Sequence, residues 1–126
     1  MKKVLVVDDE ADFLGIIRTR LEANGYQVET ASDGKEALQR IRRCRPDVVF
    51  LDIEMPRLGG LDVLREIRRI DKELPIYILT AFSDTDRFGQ AKQLKASGFI
   101  VKTRDLTREI LSVTTALHLA ERYRAA

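Results

Sequence analysis

Five side chains with the chemistry of a metal and phosphoryl site come directly after short apolar runs of the sequence. They are the carboxylates of Asp8, Asp9 and Asp52, the hydroxyl of Thr80 and the ammonium of Lys102. If these runs are parallel β-strands, the five groups meet outside the carboxyl ends of the strands, where open α/β sheets bind their ligands. Carboxylates, a hydroxyl and an ammonium together suit a hard divalent cation and a phosphoryl group.

The apolar runs are rich in Val and Ile and alternate with longer stretches of helical period, which is typical of repeated βα units around a parallel sheet. The runs predict strands near 3–7, 27–30, 47–51, 76–79 and 98–101.

Five helices are predicted between and after these strands, because apolar residues recur there at helical spacing and capping residues mark several ends. The first ends at Asn24-Gly25, the second starts at an Asp33 cap, and the third is opened by Gly59-Gly60. A fourth is predicted over roughly 84–95 and a fifth over 106–123.

Short connections and right-handed crossovers favour a doubly wound α/β fold. We predict the flavodoxin-like strand order 2-1-3-4-5, in which the first and third strands are neighbours. That order brings Asp8, Asp9 and Asp52 together, with Thr80 and Lys102 on the next two strands.

Composition predicts a single soluble domain spanning residues 1–126. Apolar content is 44%, charged content is 33%, and the net charge of +2 is too balanced to indicate a nucleic-acid or membrane surface. No apolar run is long enough to cross a bilayer. The single cysteine, Cys44, forms no internal disulfide, so we expect a cytoplasmic protein.

The predicted site suggests a covalent reaction. Crowded carboxylates repel one another, so a cation must lie among them, and Lys102 and Mg²⁺ would both serve. An oxygen of Asp52 could attack a phosphoryl donor, with the developing charge stabilised by the metal, Lys102 and the Thr80 hydroxyl. The product would be an aspartyl phosphate.

The chain resembles the receiver domain of a bacterial two-component response regulator over its whole length. The matching stretches are Val4-Leu5-Val6-Val7-Asp8-Asp9-Glu10, Asp52-Ile53-Glu54-Met55-Pro56, Gly59-Gly60, Leu79-Thr80-Ala81 and Gly98-Phe99-Ile100-Val101-Lys102. Each stretch is weak alone, but together they are highly specific.

The resemblance implies a role for each residue of the acidic site. Asp52 would be the phosphoacceptor, Asp9 would bind Mg²⁺ directly, and Asp8 would assist through water. The main-chain carbonyl of Glu54 would be a further metal ligand.

The resemblance also implies the switch and the partners. Thr80 and Lys102 would contact the phosphoryl group, and Phe99 would be the switch aromatic. The donor would be a histidine kinase or a histidine phosphotransfer protein, and the target a downstream protein or output domain. The chain would then be a signalling module rather than an enzyme with turnover. We also expect a modest homodimer, or a connection to an output domain, through the end of the fifth helix.

Two alternatives stay open at this point. Receivers usually have a proline after the lysine, whereas Thr103 follows Lys102 here, so a degenerate receiver that acts as a binding scaffold is one alternative. A Mg²⁺-dependent phosphatase on a similar sheet is the other. Glu10 weakens it, because a haloacid-dehalogenase-like phosphatase would carry an Asp at that place.

Overall fold

The computed structural model describes residues 2–55, 58–80, 85–102 and 106–125, with the backbone alone at 85, 106–107, 109–110 and 120–125. The strands are β1 (Lys3–Val7), β2 (Gln27–Ala31), β3 (Val48–Asp52), β4 (Ile76–Thr80) and β5 (Gly98–Val101). The helices are α1 (Ala11–Ala23), α2 (Gly34–Arg43), α3 (Gly60–Ile70), α4 (Thr85–Gln93) and α5 (Leu106–Ala125).

The five strands form one parallel sheet in the order β2-β1-β3-β4-β5, which confirms the predicted fold class and strand order. Three strands end one residue later than the sequence predicted, so Ala31, Asp52 and Thr80 belong to β2, β3 and β4. Asp52 and Thr80 are therefore held by the sheet itself.

The helices cover both faces of the sheet. One apolar cluster packs α1 and α5 against side chains such as Val6 and Phe50, and the other packs α2, α3 and Ala91 of α4 against side chains such as Val7 and Leu51. Successive strand residues point to opposite faces, so β1 and β3 contribute to both clusters. This two-sided burial explains the continuous apolar runs of the strands.

Two helix ends follow the capping chemistry predicted from the sequence. The Asp33 carboxylate accepts a hydrogen bond from the backbone N–H of Glu36 at 2.8 Å, which caps the start of α2. At the end of α1, Gly25 has a φ of 90°, a left-handed conformation that favours glycine.

The apolar residues of α3 do not all lie on its buried face. Residues spaced by three, such as Leu61, Leu64, Ile67 and Ile70, turn progressively around a helix of 3.6 residues per turn. Ile70 is consequently 58% exposed, and Val63 is buried instead.

The fourth helix covers most of its predicted range, although the predicted start at Asp84 lies outside the described residues. The fifth helix reaches Ala125, two residues beyond the prediction. Val113 and Leu117 are buried on it, and Leu119 is 48% exposed. Among the described helices, none is both long and apolar enough to cross a membrane.

Candidate functional site

The carboxyl edge of the sheet collects the polar groups that lie in the interior. The described polar residues that are buried are Asp8, Asp52 and Thr80, with exposures of 0%, 1% and 5%. Asp8 follows β1, whereas Asp52 and Thr80 are the last residues of β3 and β4. Because β1, β3 and β4 are adjacent, the sheet brings together side chains that are far apart in the sequence.

Lys102 follows β5 and supplies the cation of this edge. Its Nζ lies 2.9 Å from Glu10 Oε1, 3.1 Å from Asp8 Oδ2 and 3.5 Å from Asp52 Oδ2. The backbone N–H of Lys102 also donates to the carbonyl oxygen of Thr80 at 2.7 Å, which fixes the lysine beside the end of β4.

Asp8 and Asp52 are oriented in the same way. Oδ1 of Asp8 accepts a hydrogen bond from the backbone N–H of Glu10 at 2.9 Å, and Oδ1 of Asp52 accepts one from the N–H of Glu54 at 3.0 Å. These local turns leave Oδ2 of each aspartate beside the Lys102 ammonium.

A glycine allows the turn after Asp52 to pack closely. A Cβ on Gly60 would overlap the carbonyl oxygen of Asp52, so a larger residue at the start of α3 would displace the end of β3.

Burial and the repulsion of neighbouring carboxylates raise the pKa values of the two buried aspartates, Asp8 and Asp52. Burial, and next the charge of Asp8, raise the pKa of Asp52 to about 7, against the opposing effects of the Glu54 N–H and of Lys102. Burial also raises the pKa of Asp8. For Lys102, burial lowers the pKa, but the Glu10 hydrogen bond and the charges of Asp52 and Asp8 outweigh it and raise the pKa overall. The site therefore favours additional positive charge.

Two of the predicted metal ligands, Asp8 and Asp9, lie with Glu10 in a cluster of carboxylates that fits a hard divalent cation, whereas the predicted ligands Asp52 and Glu54 are not in this cluster. Asp8 Oδ2 is buried and accepts no hydrogen bond, since its ion pair with Lys102 lacks hydrogen-bond geometry. Oxygen atoms of Asp8, Asp9 and Glu10 lie within 4.8 Å of one another. Mg²⁺ prefers oxygen ligands and keeps several waters, and the exposure of Asp9 and Glu10 leaves this side of the cluster open to solvent.

The predicted metal ligands differ in exposure. Asp8 and Asp52 are buried, whereas the side chains of Asp9 and Glu54 are exposed. Glu54 donates its N–H to Asp52, so its backbone is directly joined to the predicted phosphoacceptor.

The two predicted switch residues lie on adjacent strands. Phe99 of β5 is half-buried and contacts Phe88 of α4, with ring centroids 4.1 Å apart and planes inclined by 32°. Thr80 is the last residue of β4, and its β5 partner is Val101. Thr103, the residue where receivers usually have a proline, lies outside the described residues, as does the peptide after Lys102.

Glu10 is the residue of the site whose position the sequence did not predict. Its carboxylate is the nearest of the three to the Lys102 ammonium, yet the two residues are 92 positions apart. Its place directly after the aspartate pair indicated that Glu10 lies near the site, but the direction of its side chain depends on the tertiary structure.

Comparisons with known proteins agree with this geometry. Residues 4–114 match the family described as the response regulator receiver domain. The chain belongs to this family. Receivers are the phosphoryl-accepting signalling modules of two-component systems, and this chain has that role.

Individual relatives show how much of a longer protein the receiver represents. It is 48% identical over 101 residues to the "Probable transcriptional regulator ycf27" of Guillardia theta, covering 80% of this chain and 39% of that protein. It is also 36% identical over 115 residues to the transcriptional regulatory protein PrrA of Mycobacterium leprae, covering 91% of this chain and 49% of that protein. The chain thus spans less than half of either relative.

A solved structure matches the receiver over nearly its full length. The chemotaxis response regulator CheY4 of Vibrio cholerae superposes with a TM-score of 0.80 at 32% identity, covering 91% of this chain and 98% of that one. The chain therefore has the fold of a solved chemotaxis response regulator that it covers almost completely.

Proposed function

We propose that this receiver accepts a single phosphoryl group on Asp52 in a Mg²⁺-dependent reaction. The observation that carries the proposal is the setting of Asp52 Oδ2. It belongs to a side chain that is 1% exposed, its sister oxygen is held by the Glu54 N–H, and it lies 3.5 Å from the Lys102 ammonium.

The reaction needs Asp52 in its ionised form. A carboxyl group with a pKa of about 7 is only about half ionised at neutral pH, so nearby positive charge favours the nucleophile. Bound Mg²⁺ supplies that charge and neutralises the phosphoryl oxygens. Asp9 would bind it directly, Asp8 through water, and Glu54 through its main-chain carbonyl.

The covalent step is a substitution at phosphorus. An Asp52 oxygen forms the new O–P bond while the bond from phosphorus to the donor atom breaks, and the donor leaves with the electron pair. Lys102 and the Thr80 hydroxyl then bind the oxygens of the phosphoryl group. Drawing Thr80 towards that group would let Phe99 rotate inwards and change the surface around α4, β5 and α5.

The donor is proposed to be a histidine kinase or a histidine phosphotransfer protein in the cytoplasm. The target would be a downstream protein or an output domain, without direct contact of this domain with nucleic acid or membrane. Catalysis would be limited to its own phosphorylation and slow dephosphorylation. A homodimer through the end of α5 stays a prediction.

The experiment is phosphorylation by acetyl phosphate with Mg²⁺, followed by intact-mass measurement. We expect one phosphoryl group on the wild type, sensitive to hydroxylamine, and none on Asp52→Asn. Asp12→Asn removes a carboxylate from the first turn of α1 and should label like the wild type. Labelling of Asp52→Asn would refute the acceptor. If the wild type forms no adduct, a binding scaffold is favoured. If it releases inorganic phosphate rapidly, a phosphatase is favoured.

A further inference from the structure

The Glu10 carboxylate holds the outer side of the Lys102 ammonium. The Glu10 side chain is 63% exposed, whereas that of Lys102 is 18% exposed and those of Asp8 and Asp52 are buried. The shortest of the three ion pairs is therefore the one closest to solvent.

The backbone of Glu10 leaves this side chain free for Lys102. Glu10 is the N-cap residue of α1, and its side chain makes no capping hydrogen bond. Its N–H donates to Asp8 Oδ1 at 2.9 Å, and its carbonyl accepts from the N–H of Leu14 at 3.1 Å. Glutamate is a poor N-cap, so its carboxylate gains more by pairing with Lys102 than by capping the helix.

Lys102 pairs with three carboxylates, and the shortest hydrogen bond that its ammonium donates goes to Glu10 Oε1 at 2.9 Å, against 3.5 Å to Asp52 Oδ2. A phosphoryl group on Asp52 would bring further oxygen acceptors to the same place. A phosphoryl oxygen and the Glu10 carboxylate would then compete for the same ammonium. The exposed Glu10 carboxylate is the easiest to release, because water solvates it afterwards.

We propose that Glu10 is a positioning residue that holds Lys102 in the unphosphorylated receiver and releases it to the phosphoryl group. The inference rests on the proposed function of Asp52. Glu10 therefore competes with the phosphoryl group for the same ammonium and weakens the phosphorylated state.

Two substitutions separate this competition from simple charge repulsion. Glu10→Gln removes the charge, and it would strengthen binding of an anion by either mechanism. Glu10→Asp keeps the charge but shortens the side chain by one methylene, and aspartate is a favoured N-cap that would bond to α1 instead. Glu22→Gln removes a carboxylate from the same helix, where it pairs with Arg18, and is the matched control.

The test measures the affinity of beryllofluoride, a phosphoryl mimic that bonds to a carboxylate oxygen, at saturating Mg²⁺. Both Glu10 variants should bind the mimic about twofold to fivefold more tightly than the wild type, as expected for loss of an exposed ion pair. Glu22→Gln should not change the affinity. A gain in Glu10→Gln alone, or no gain in either variant, would overturn the role of Glu10.

A second measurement needs no phosphoryl mimic. In ¹⁵N-lysine spectra of the unphosphorylated protein, the Lys102 ammonium, assigned by its loss in Lys102→Arg, should exchange slowly with water. The signal should broaden in both Glu10 variants and persist in Glu22→Gln. A signal that stays sharp in Glu10→Asp and Glu10→Gln would contradict the inference. If the wild type does not bind beryllofluoride at all, the proposed function of Asp52 fails instead.

Discussion

Two half-buried cationic side chains lie at opposite ends of the sheet and are held in different ways. Lys102 lies at the carboxyl end among side-chain carboxylates. Arg68 of α3 lies at the amino end and donates to four backbone carbonyls. These carbonyls belong to Asp71 at 3.1 Å, Leu74 at 2.8 Å, Leu94 at 3.1 Å and Lys95 at 2.9 Å.

The electrostatic environments of the two cations are opposite as well. Anionic neighbours raise the pKa of Lys102 despite its burial, whereas burial lowers the pKa of Arg68. Arg68 stays charged in either case, because a guanidinium does not lose its proton in proteins. Its hydrogen-bond partners are backbone carbonyls rather than side-chain carboxylates.

The contacts of Lys102 can be exchanged for contacts with a ligand, whereas those of Arg68 are permanent. The carboxylates around Lys102 are also the groups that a metal and a phosphoryl group would engage, so the contacts of this lysine depend on the ligand state. The carbonyls around Arg68 join the end of α3 to the residues that follow α4. We therefore expect ligands to alter the carboxyl end of the sheet and to leave the amino end in place.

The largest expected effect is a stabilisation by Asp52→Asn. The pKa of Asp52 is about 7 in the folded protein and near 3.8 in the unfolded chain. As the pH rises from about 4 to 7, the unfolded state loses this proton first, so the wild type loses stability. The variant lacks that loss and should be more stable above pH 7, by up to about 4 kcal/mol.

Urea unfolding at pH 4 and pH 8, without Mg²⁺, measures this difference. The gain should be small at pH 4 and largest at pH 8, and the Asp12→Asn control should show neither. If Asp52→Asn is less stable than the wild type at pH 8, burial and repulsion by Asp8 do not control the contribution of Asp52 to stability.

The next effect is a destabilisation by Arg68→Met. Removing the guanidinium leaves four carbonyls without this donor, which should lower the free energy of unfolding by about 3 kcal/mol. The loss should be equal at pH 5 and pH 8, because Arg68 bonds to backbone carbonyls and not to Asp8 or Asp52, whose pKa values are raised.

The neighbouring residue offers a matched control for Arg68. Arg69 has a side chain that is 73% exposed and pairs with Glu66, so Arg69→Met should change stability by less than about 0.5 kcal/mol. Equal effects of the two substitutions would show that Arg68 does not act as an anchor, meaning that its bonds to the four carbonyls do not stabilise the fold.

These two regions also show what the sequence could and could not predict. The residues of the carboxyl end follow apolar runs, and the end of a parallel strand fixes which edge they occupy, so Asp8, Asp52, Thr80 and Lys102 were found in advance. Shifts of one residue at strand ends did not matter, because the side chains stay at the same edge.

The contacts of Glu10 and Arg68 were not predictable in the same way. Each joins residues that are distant in sequence, 92 positions for Glu10 and 26 or 27 for the α4 side of Arg68. Arg68 follows Leu64 by four residues and so lies near the buried face of α3, which was a usable signal. Its acceptors are backbone atoms, however, and these carry no sequence pattern.

Mg²⁺ should stabilise the carboxyl end alone. A ligand that binds only the folded state stabilises it by about 2.7 kcal/mol at one hundred times its dissociation constant. Asp9→Ala should remove this gain more completely than Asp8→Ala, and Arg68→Met should retain all of it. Thermal unfolding with and without Mg²⁺ tests this. Equal losses of the Mg²⁺ stabilisation in the two aspartate variants would contradict the ligand assignment. A loss of this stabilisation in Arg68→Met would show that the two ends of the sheet are energetically coupled.

The smallest predicted effect concerns α4, which extends between the two ends of the sheet. Near its start, the Phe88 ring contacts Phe99, the predicted switch aromatic. Beyond its end, Leu94 and Lys95 are held by Arg68. Rotation of Phe99 would remove a ring contact from the first half of the helix while the bonds to Arg68 persist. Local opening should therefore change more in the first half than in the second.

Hydrogen exchange with and without beryllofluoride measures this gradient. We expect about a tenfold change in exchange rate over 86–89, which corresponds to about 1.4 kcal/mol in the free energy of local opening. Exchange over 92–96 should stay within error of the unliganded protein. In Arg68→Met the change should spread to 92–96, because the anchor is then absent. A uniform change along the wild-type helix would show that α4 moves as a unit and that Arg68 does not separate its two ends.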